Sequence, residues 1–180
     1  MTICQKNSTP DDCNYGGHLN YRDWQYVCKM VPLPCVDLAI LEKETTKWKI
    51  LLITRRNGYE QGKLCMIGGR VWLGETLKEA LDRQADQLGI KVKIIPPFSS
   101  NFSIWRSDNP SQDKTKHCIT DIYPAKKIHG KLKKEGDEFS ECKWYYLDDL
   151  PKKKDFAFCH YDKLINLSVQ LKSFASLISL

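Results

Sequence analysis

Near the middle of the chain, Gly68-Gly69-Arg70-Val71 runs into Glu75 and then into a stretch whose apolar residues Leu77, Ala80, Leu81, Ala85 and Leu88 fall at helical spacing before Gly89 and Ile90. That pattern predicts a Gly-rich turn feeding an amphipathic helix. A hard divalent cation seated on such a helix would need anionic oxygen ligands from it. After Arg83 the helix offers only Gln84, Ala85, Asp86, Gln87 and Leu88, a single carboxylate. An amide oxygen can ligate but brings no charge to offset the dehydration of Mg²⁺. The residues therefore predict a thin site, in which Mg²⁺ or Mn²⁺ is weakly bound and a ligand's own oxygens complete the shell.

Other reactive side chains stand in telling contexts. Arg55 and Arg56 end an apolar run, where they are either solvated, paired with Glu60, or turned toward an anion. Asp37 interrupts Cys35, Val36, Leu38 and Ala39, and a buried carboxylate there needs either a structural partner or a ligand. Glu138 lies in the acidic run Glu135-Gly136-Asp137-Glu138, as a solvated acid or a functional one. His117 opens an apolar run, while His18, His129 and His160 show no recognisable partner in sequence.

The elements that must hold these groups follow from periodicity. A polar leader, flexible in this reading, runs over 1–18. A short helix is predicted at 21–30 with Trp24, Val27 and Cys28 on one face, then a hairpin of strands at 35–42 and 48–55 joined by 43–47. A strand at 64–71 feeds the Gly-rich helix, and a strand at 91–95 leaves it. Further strands are predicted at 102–106, 117–125 and 142–147. The spacing of Leu164, Ile165, Leu167, Leu171, Phe174, Ala175 and Ile178 predicts a helix over 161–180. Strands mixed with two substantial helices give an α/β (α+β) class, a mixed sheet with helices on both faces.

The 180 residues, 42% hydrophobic, suffice for one full core, so 19–180 is taken as one domain. The apolar runs are far shorter than a membrane span, and the polar start Met1-Thr2-Ile3-Cys4-Gln5-Lys6 lacks a secretory apolar stretch, which predicts a cytoplasmic protein without a membrane partner. The eight Cys are scattered singly with no CxxC pair, and are expected as reduced thiols. The net charge of +6 resides largely in Lys126, Lys127, Lys131, Lys133, Lys134 and Lys152 to Lys154, read as solvated loops. Without a row of exposed aromatics this argues against nucleic acid and for a basic groove that draws in an anionic nucleotide.

Gly69, Glu75, Arg83, Gly89 and Ile90 together resemble the signature of the Nudix hydrolases, in which the helix after the Arg carries several Glu. Here the helix is one residue short of that pattern and has none of those Glu. A narrower resemblance joins Leu19-Asn20-Tyr21-Arg22-Asp23-Trp24, Val31-Pro32-Leu33-Pro34-Cys35-Val36-Asp37, Arg55-Arg56-Asn57-Gly58-Tyr59-Glu60-Gln61-Gly62 and Gly68-Gly69-Arg70-Val71. Taken in order, this set looks like the GDP-mannose mannosyl hydrolase branch, over roughly residues 19 to 150.

The resemblance implies a Nudix-like α/β/α sandwich and hydrolysis of a nucleoside diphosphate-linked sugar. It implies that Gly68 offers a carbonyl to the metal, with Asp86, Gln87 and Glu138 as the remaining ligands. Arg55 and Arg70 would neutralise charge on the leaving diphosphate, and Asp37 and His117 would touch substrate. In that branch a Gln-His pair precedes the Trp matched by Trp144; here Glu138 and Phe139 stand there, so Glu138 becomes the candidate general base. The branch associates through its N-terminal segment, which implies a homodimer. The alternative is a pseudoenzyme that keeps the nucleotide cleft and has lost turnover.

Overall fold

A computed structural model describes residues 20–95, 103–105 and 117–174. The leader 1–18, with His18, Cys4 and Cys13, lies outside them, as do residues 175–180 of the predicted C-terminal helix.

The chain begins with helix α1 (Tyr21–Met30), whose N-cap Asn20 accepts from the Asp23 amide at 2.9 Å. Cys28 is buried beneath it, with Trp24 and Val27 half-buried, so the predicted face holds. Two long strands follow, β1 (Leu33–Glu44) and β2 (Lys47–Arg55), as a hairpin whose tight turn places Thr45 at φ 54. The next strand is predicted as one piece and is found as two, β3 (Leu64–Cys65) and β4 (Ile67–Arg70). β3 pairs with β2 and β4 with β1, so the chain changes partner at Met66. The Met66 amide donates to His160 Nδ1 at 3.0 Å instead of to a strand.

Helix α2 (Leu77–Gln87) starts at Thr76 with a reciprocal capping box to Glu79. It stops because Gly89, at φ 75, turns the chain under Lys131, whose carbonyl oxygen would lie 2.8 Å from any added Cβ. Strands β5 (Ile90–Ile94), β6 (Ser103–Trp105), β7 (Cys118–Gly130) and β8 (Phe139–Tyr146) and helix α3 (His160–Phe174) complete the order. β7 runs past the predicted end at 125 and takes in Lys126 and Lys127, so these lysines lie on a strand and not in a loop; their polarity is compatible with a strand whose alternate side chains reach solvent.

One eight-stranded mixed sheet results, ordered β3-β2-β1-β7-β5, with β4 on β1, β6 on β7 and β8 on β2. Only β1 and β7 pair in parallel among these ladders. One face packs Val36, Leu38, Ile40, Leu51 and Ile53 against Ala80, Leu81, Ala85 and Leu88 of the α2 segment. The other packs Ala39, Leu41, Ile50, Leu52 and Ile122 against Leu164, Leu167 and Leu171 of α3. Helix cover on both faces is why Val36 through Leu41 are buried without alternation. Leu77 departs from the predicted core: it opens α2 and is 47% exposed, the cover starting one turn later at Ala80.

Candidate functional site

The two glycines of β4 are pressed from opposite sides of the sheet. A Cβ on Gly68 would meet Asp37 Oδ1 at 2.0 Å and the Val36 carbonyl oxygen at 2.6 Å. One on Gly69 would meet Gln84 Nε2 at 2.8 Å. Only glycine lets Asp37 and Gln84 close on this strand together.

The loop between β4 and α2 is fastened by a forked ion pair. Arg83 Nε donates to Glu75 Oε1 at 2.7 Å and Arg83 Nη2 to Glu75 Oε2 at 2.8 Å, while Nη2 also reaches the Arg70 carbonyl at 2.9 Å. The guanidinium lies 3.9 Å over the Trp72 ring. These hydrogen bonds from Arg83, with the Trp72 amide, outweigh partial burial and hold the Glu75 carboxyl below its usual range. Glu75 and Arg83 thus shape the turn.

Beyond Arg83 the helix presents amides. Gln84 is buried, and its Oε1 accepts from Gln87 Nε2 at 2.9 Å. Asp86, predicted as a metal ligand, is exposed and paired with Lys91 at 2.6 Å, about 100° around the helix from Gln87. Among the described residues no three His, Cys, Asp or Glu side chains gather where they could hold a metal ion. The donors at Gly68, Gln84, Gln87 and Glu138 supply one carboxylate, and two of the amides bond each other. This set does not fit a resident hard divalent cation.

Beside the glycines opens a cavity of about 160 Å³, lined by Asp37, Arg55, Thr120, Phe158, His160 and Lys163 among others. Asp37 Oδ2 lies 3.2 Å from His160 Nε2 and 3.7 Å from Lys163 Nζ. Because His160 Nδ1 accepts the Met66 amide, its ring proton is assigned to Nε2, which donates to Asp37. Burial opposes ionisation of Asp37, but His160 and Lys163 more than offset it and hold the carboxyl below its ordinary value. His160, without a partner in the sequence reading, is therefore the orienting group, and Asp37 has a structural pair while bordering the cavity.

Arg55 is held by an Nε donation to the Tyr59 carbonyl at 3.0 Å and lies 4.9 Å over the Phe158 ring. Glu60, considered as its partner, instead bonds Lys63 at 2.9 Å and the Phe158 amide. Glu138 is half-buried in the loop before β8, where its carbonyl accepts from the Arg56 amide at 2.9 Å. Burial raises its carboxyl above the ordinary value, while Arg55 and Arg83 pull the other way. Phe139 is fully buried in the core beneath α2. Arg70 points elsewhere, its guanidinium 4.4 Å over Trp24 of α1. His117 is half-buried, its carbonyl accepts from the Leu33 amide at 2.7 Å, and it does not border the cavity.

The fold thus gathers Asp37, Arg55 and Gly68 at the cavity, sets Glu138 in the electrostatic field of Arg55, and leaves Arg70, Asp86 and His117 off its wall. Sequence reasoning missed Phe158, His160 and Lys163. Their only signal was the His160–Lys163 spacing, which places both on one face of the C-terminal helix.

A mixed sheet between helices, with a Gly-Gly strand clamped to a helix by a Glu–Arg fork, defines the class. The NUDIX domain model matches residues 32–165, and the chain belongs to the Nudix family. It is 34% identical over 141 residues to an ADP-ribose pyrophosphatase of Methanocaldococcus jannaschii, covering 78% of this chain and 75% of that one. It is 26% identical to an NAD-capped RNA hydrolase of Escherichia coli over 77% of this chain and about half (52%) of that relative's length. A MutT Nudix hydrolase from Burkholderia pseudomallei superposes with a TM-score of 0.59 at 22% identity, covering 75% of this chain and 97% of that one. The Nudix domain of Shewanella oneidensis NrtR, solved with ADP ribose, does so with 0.59 at 19%, covering 92% and 94%.

Proposed function

We propose that this chain hydrolyses a nucleoside diphosphate linked to a sugar, of which ADP-ribose and GDP-mannose are two forms. The family and the relative active on ADP-ribose support the class. The observation that carries it is the cavity beside the Gly-Gly strand, which brings Arg55, Asp37 and Lys163 together, with the half-buried Glu138 carboxyl raised by burial and lowered by the charge of Arg55.

In this reading the sugar or base enters the cavity and presents hydrogen-bonding edges to Asp37, Thr120 and Lys163. The diphosphate lies toward Arg55, whose charge is already fixed by Tyr59 and Phe158, so its alignment costs little reorganisation. Glu138 takes a proton from water as the water oxygen bonds to the electrophile, and the leaving group departs with the bonding pair. Attack on phosphorus gives two monophosphates; attack on the anomeric carbon gives a nucleoside diphosphate and free sugar. The substrate is a metal–nucleotide complex that brings its own Mg²⁺ or Mn²⁺, which agrees with the thin donor set of α2. Arg70 shapes the loop from outside, through its carbonyl to Arg83.

Incubation with ADP-ribose, GDP-mannose and other nucleotide sugars in the presence of Mg²⁺ or Mn²⁺, with chromatography of the products, tests this. Turnover lost in Glu138→Gln supports it; absence of products from every compound refutes it. A second reading, a binding protein without turnover, is favoured by the closed Gln84–Gln87 amide pair and is identified by nucleotide binding that proceeds without products. A homodimer joined at the α1 end, where Tyr26, Met30 and Val31 are exposed, belongs to the same proposal and is checked by light scattering. Among the described residues no helix is long and apolar enough to cross a membrane, and a cytoplasmic location is likewise proposed.

A further inference from the structure

The β1–β7 ladder ends at Leu41 opposite Lys126, and beyond that point the two strands part. β1 continues to Glu44 alongside β2, whereas β7 continues to Gly130 alongside β5. The splayed ends border a second cavity of about 540 Å³, more than three times the volume of the first and sharing none of its lining residues. Asp37 and Lys43 are six residues apart on β1, which separates the two sites by roughly 20 Å along the strand.

Its walls combine two chemistries. Lys43 contributes from β1, and Lys126 and Lys127 from β7; Glu42 is the one carboxylate among the lining residues, so the balance is cationic. Trp48 and Trp144, both half-buried and anchored in the cores on opposite faces of the sheet, supply the flat apolar surfaces. The Lys43 ammonium rests 5.7 Å from the Trp48 ring centroid. Strand-borne lysines are held closer to one geometry than loop lysines, which is what a fixed anionic ligand requires.

We propose that this splayed-strand cavity is a second ligand site that takes a nucleotide unit, its phosphate against Lys43 and Lys126, which share one face of the sheet, its base against indole surface, and Lys127 adding positive charge from the other face. An ammonium is a point charge suited to phosphate, and indole surface accepts any base by stacking. The volume falls within the range of small-ligand sites. An acidic peptide would satisfy the lysines but leave the indole surfaces uncovered. The proposal is independent of the hydrolytic reading, because no residue is shared between the sites.

Titration calorimetry at low and physiological salt tests it, with AMP and a ten-residue oligoadenylate as probes of a free and a strand-borne nucleotide. Hexaglutamate serves as the acidic-peptide control. Binding should weaken at least about tenfold in Lys126→Glu/Lys127→Glu, persist in Arg55→Ala, and weaken with salt. AMP binding as tightly as the oligomer assigns a free nucleotide; tighter binding of the oligomer assigns an RNA strand. Melting of the double variant within a few degrees of the parent excludes misfolding, and the single Lys126→Glu change, at an exposed position, gives the same direction if the pair does not fold. Hydrolysis of the nucleotide sugar should be unchanged in the lysine variants. No binding of either nucleotide, binding lost in Arg55→Ala but kept in the lysine variants, or equal binding of hexaglutamate overturns the proposal.

Discussion

Replacing Asp37 with Asn isolates the buried charge that joins β1 to α3. Asn keeps the volume and an oxygen for the His160 Nε2 proton, so the change chiefly leaves the Lys163 ammonium, with only 11% of its side chain exposed, without a counter-charge. Breaking a buried pair by removing one partner costs about 3–5 kcal/mol. For a domain of this size each kcal/mol moves Tm by about 2–4 °C, so even the lower bound predicts a fall of roughly 6–12 °C. Adding Lys163→Met should recover at least half of it, since no charge then remains to be paired. Because contacts with His160 and Lys163 hold the Asp37 carboxyl below its usual value, its stabilising contribution is present above the unfolded pKa of about 4 and lost as pH falls through the lower folded value. The gap between parent and variant should stay constant from pH 5 to 8, each about neutral to this titration, and shrink below about pH 4. Melts followed by circular dichroism across that range decide it. A variant that melts within about 1 °C of the parent at pH 7, or a gap that widens in acid, refutes the reasoning.

Glu138→Gln should cut turnover by about 10²–10⁴-fold with folding intact. The acidic limb of kcat/KM in the parent should lie above the ordinary carboxylate value, because burial raises this group; and since the ionised form is the one burial disfavours, the variant should melt no lower than the parent at pH 7. Gly68→Ala should fail to accumulate as soluble protein, or melt at least about 3 kcal/mol less stable, because a methyl group cannot share space with Asp37 Oδ1 and the Val36 carbonyl. The pair Gln84→Glu/Gln87→Glu supplies the missing carboxylates: it should melt lower than the parent without metal and gain several degrees with millimolar Mg²⁺, whereas the parent should not respond. A metal-responsive parent in that melt would show that a cage exists which the donor set denies.

Legibility in the sequence differed by element. The α1 and α2 spans follow from the spacing of their apolar residues, and the structure adds the local bonds that start them, from the Asp23 amide to Asn20 and between Thr76 and Glu79. The β1–β2 hairpin is legible because burial on both faces writes a continuous apolar run. The break at Met66 is not, because an apolar run does not say which neighbour each amide will meet, and here one amide meets a histidine 94 residues away. Leu77 fits helical periodicity and is still exposed, because spacing assigns a face without saying where the sheet beneath it ends.

The site divides along the same line. The chain order Gly68-Gly69, Glu75, Arg83 and the amide-rich run after it settle a clamped turn and a poor cation cage, since both depend on residue types a few positions apart. That Asp37 would pair with His160 and Lys163, that Asp86 would bond Lys91, and that Lys126, Lys127 and Trp48 would border one cavity where β1 and β7 part were decided only by the tertiary structure. Local bonds are encoded by neighbours in the chain, whereas the partner of a buried charge and the walls of a cavity are set by how distant segments pack, at separations where periodicity carries no information.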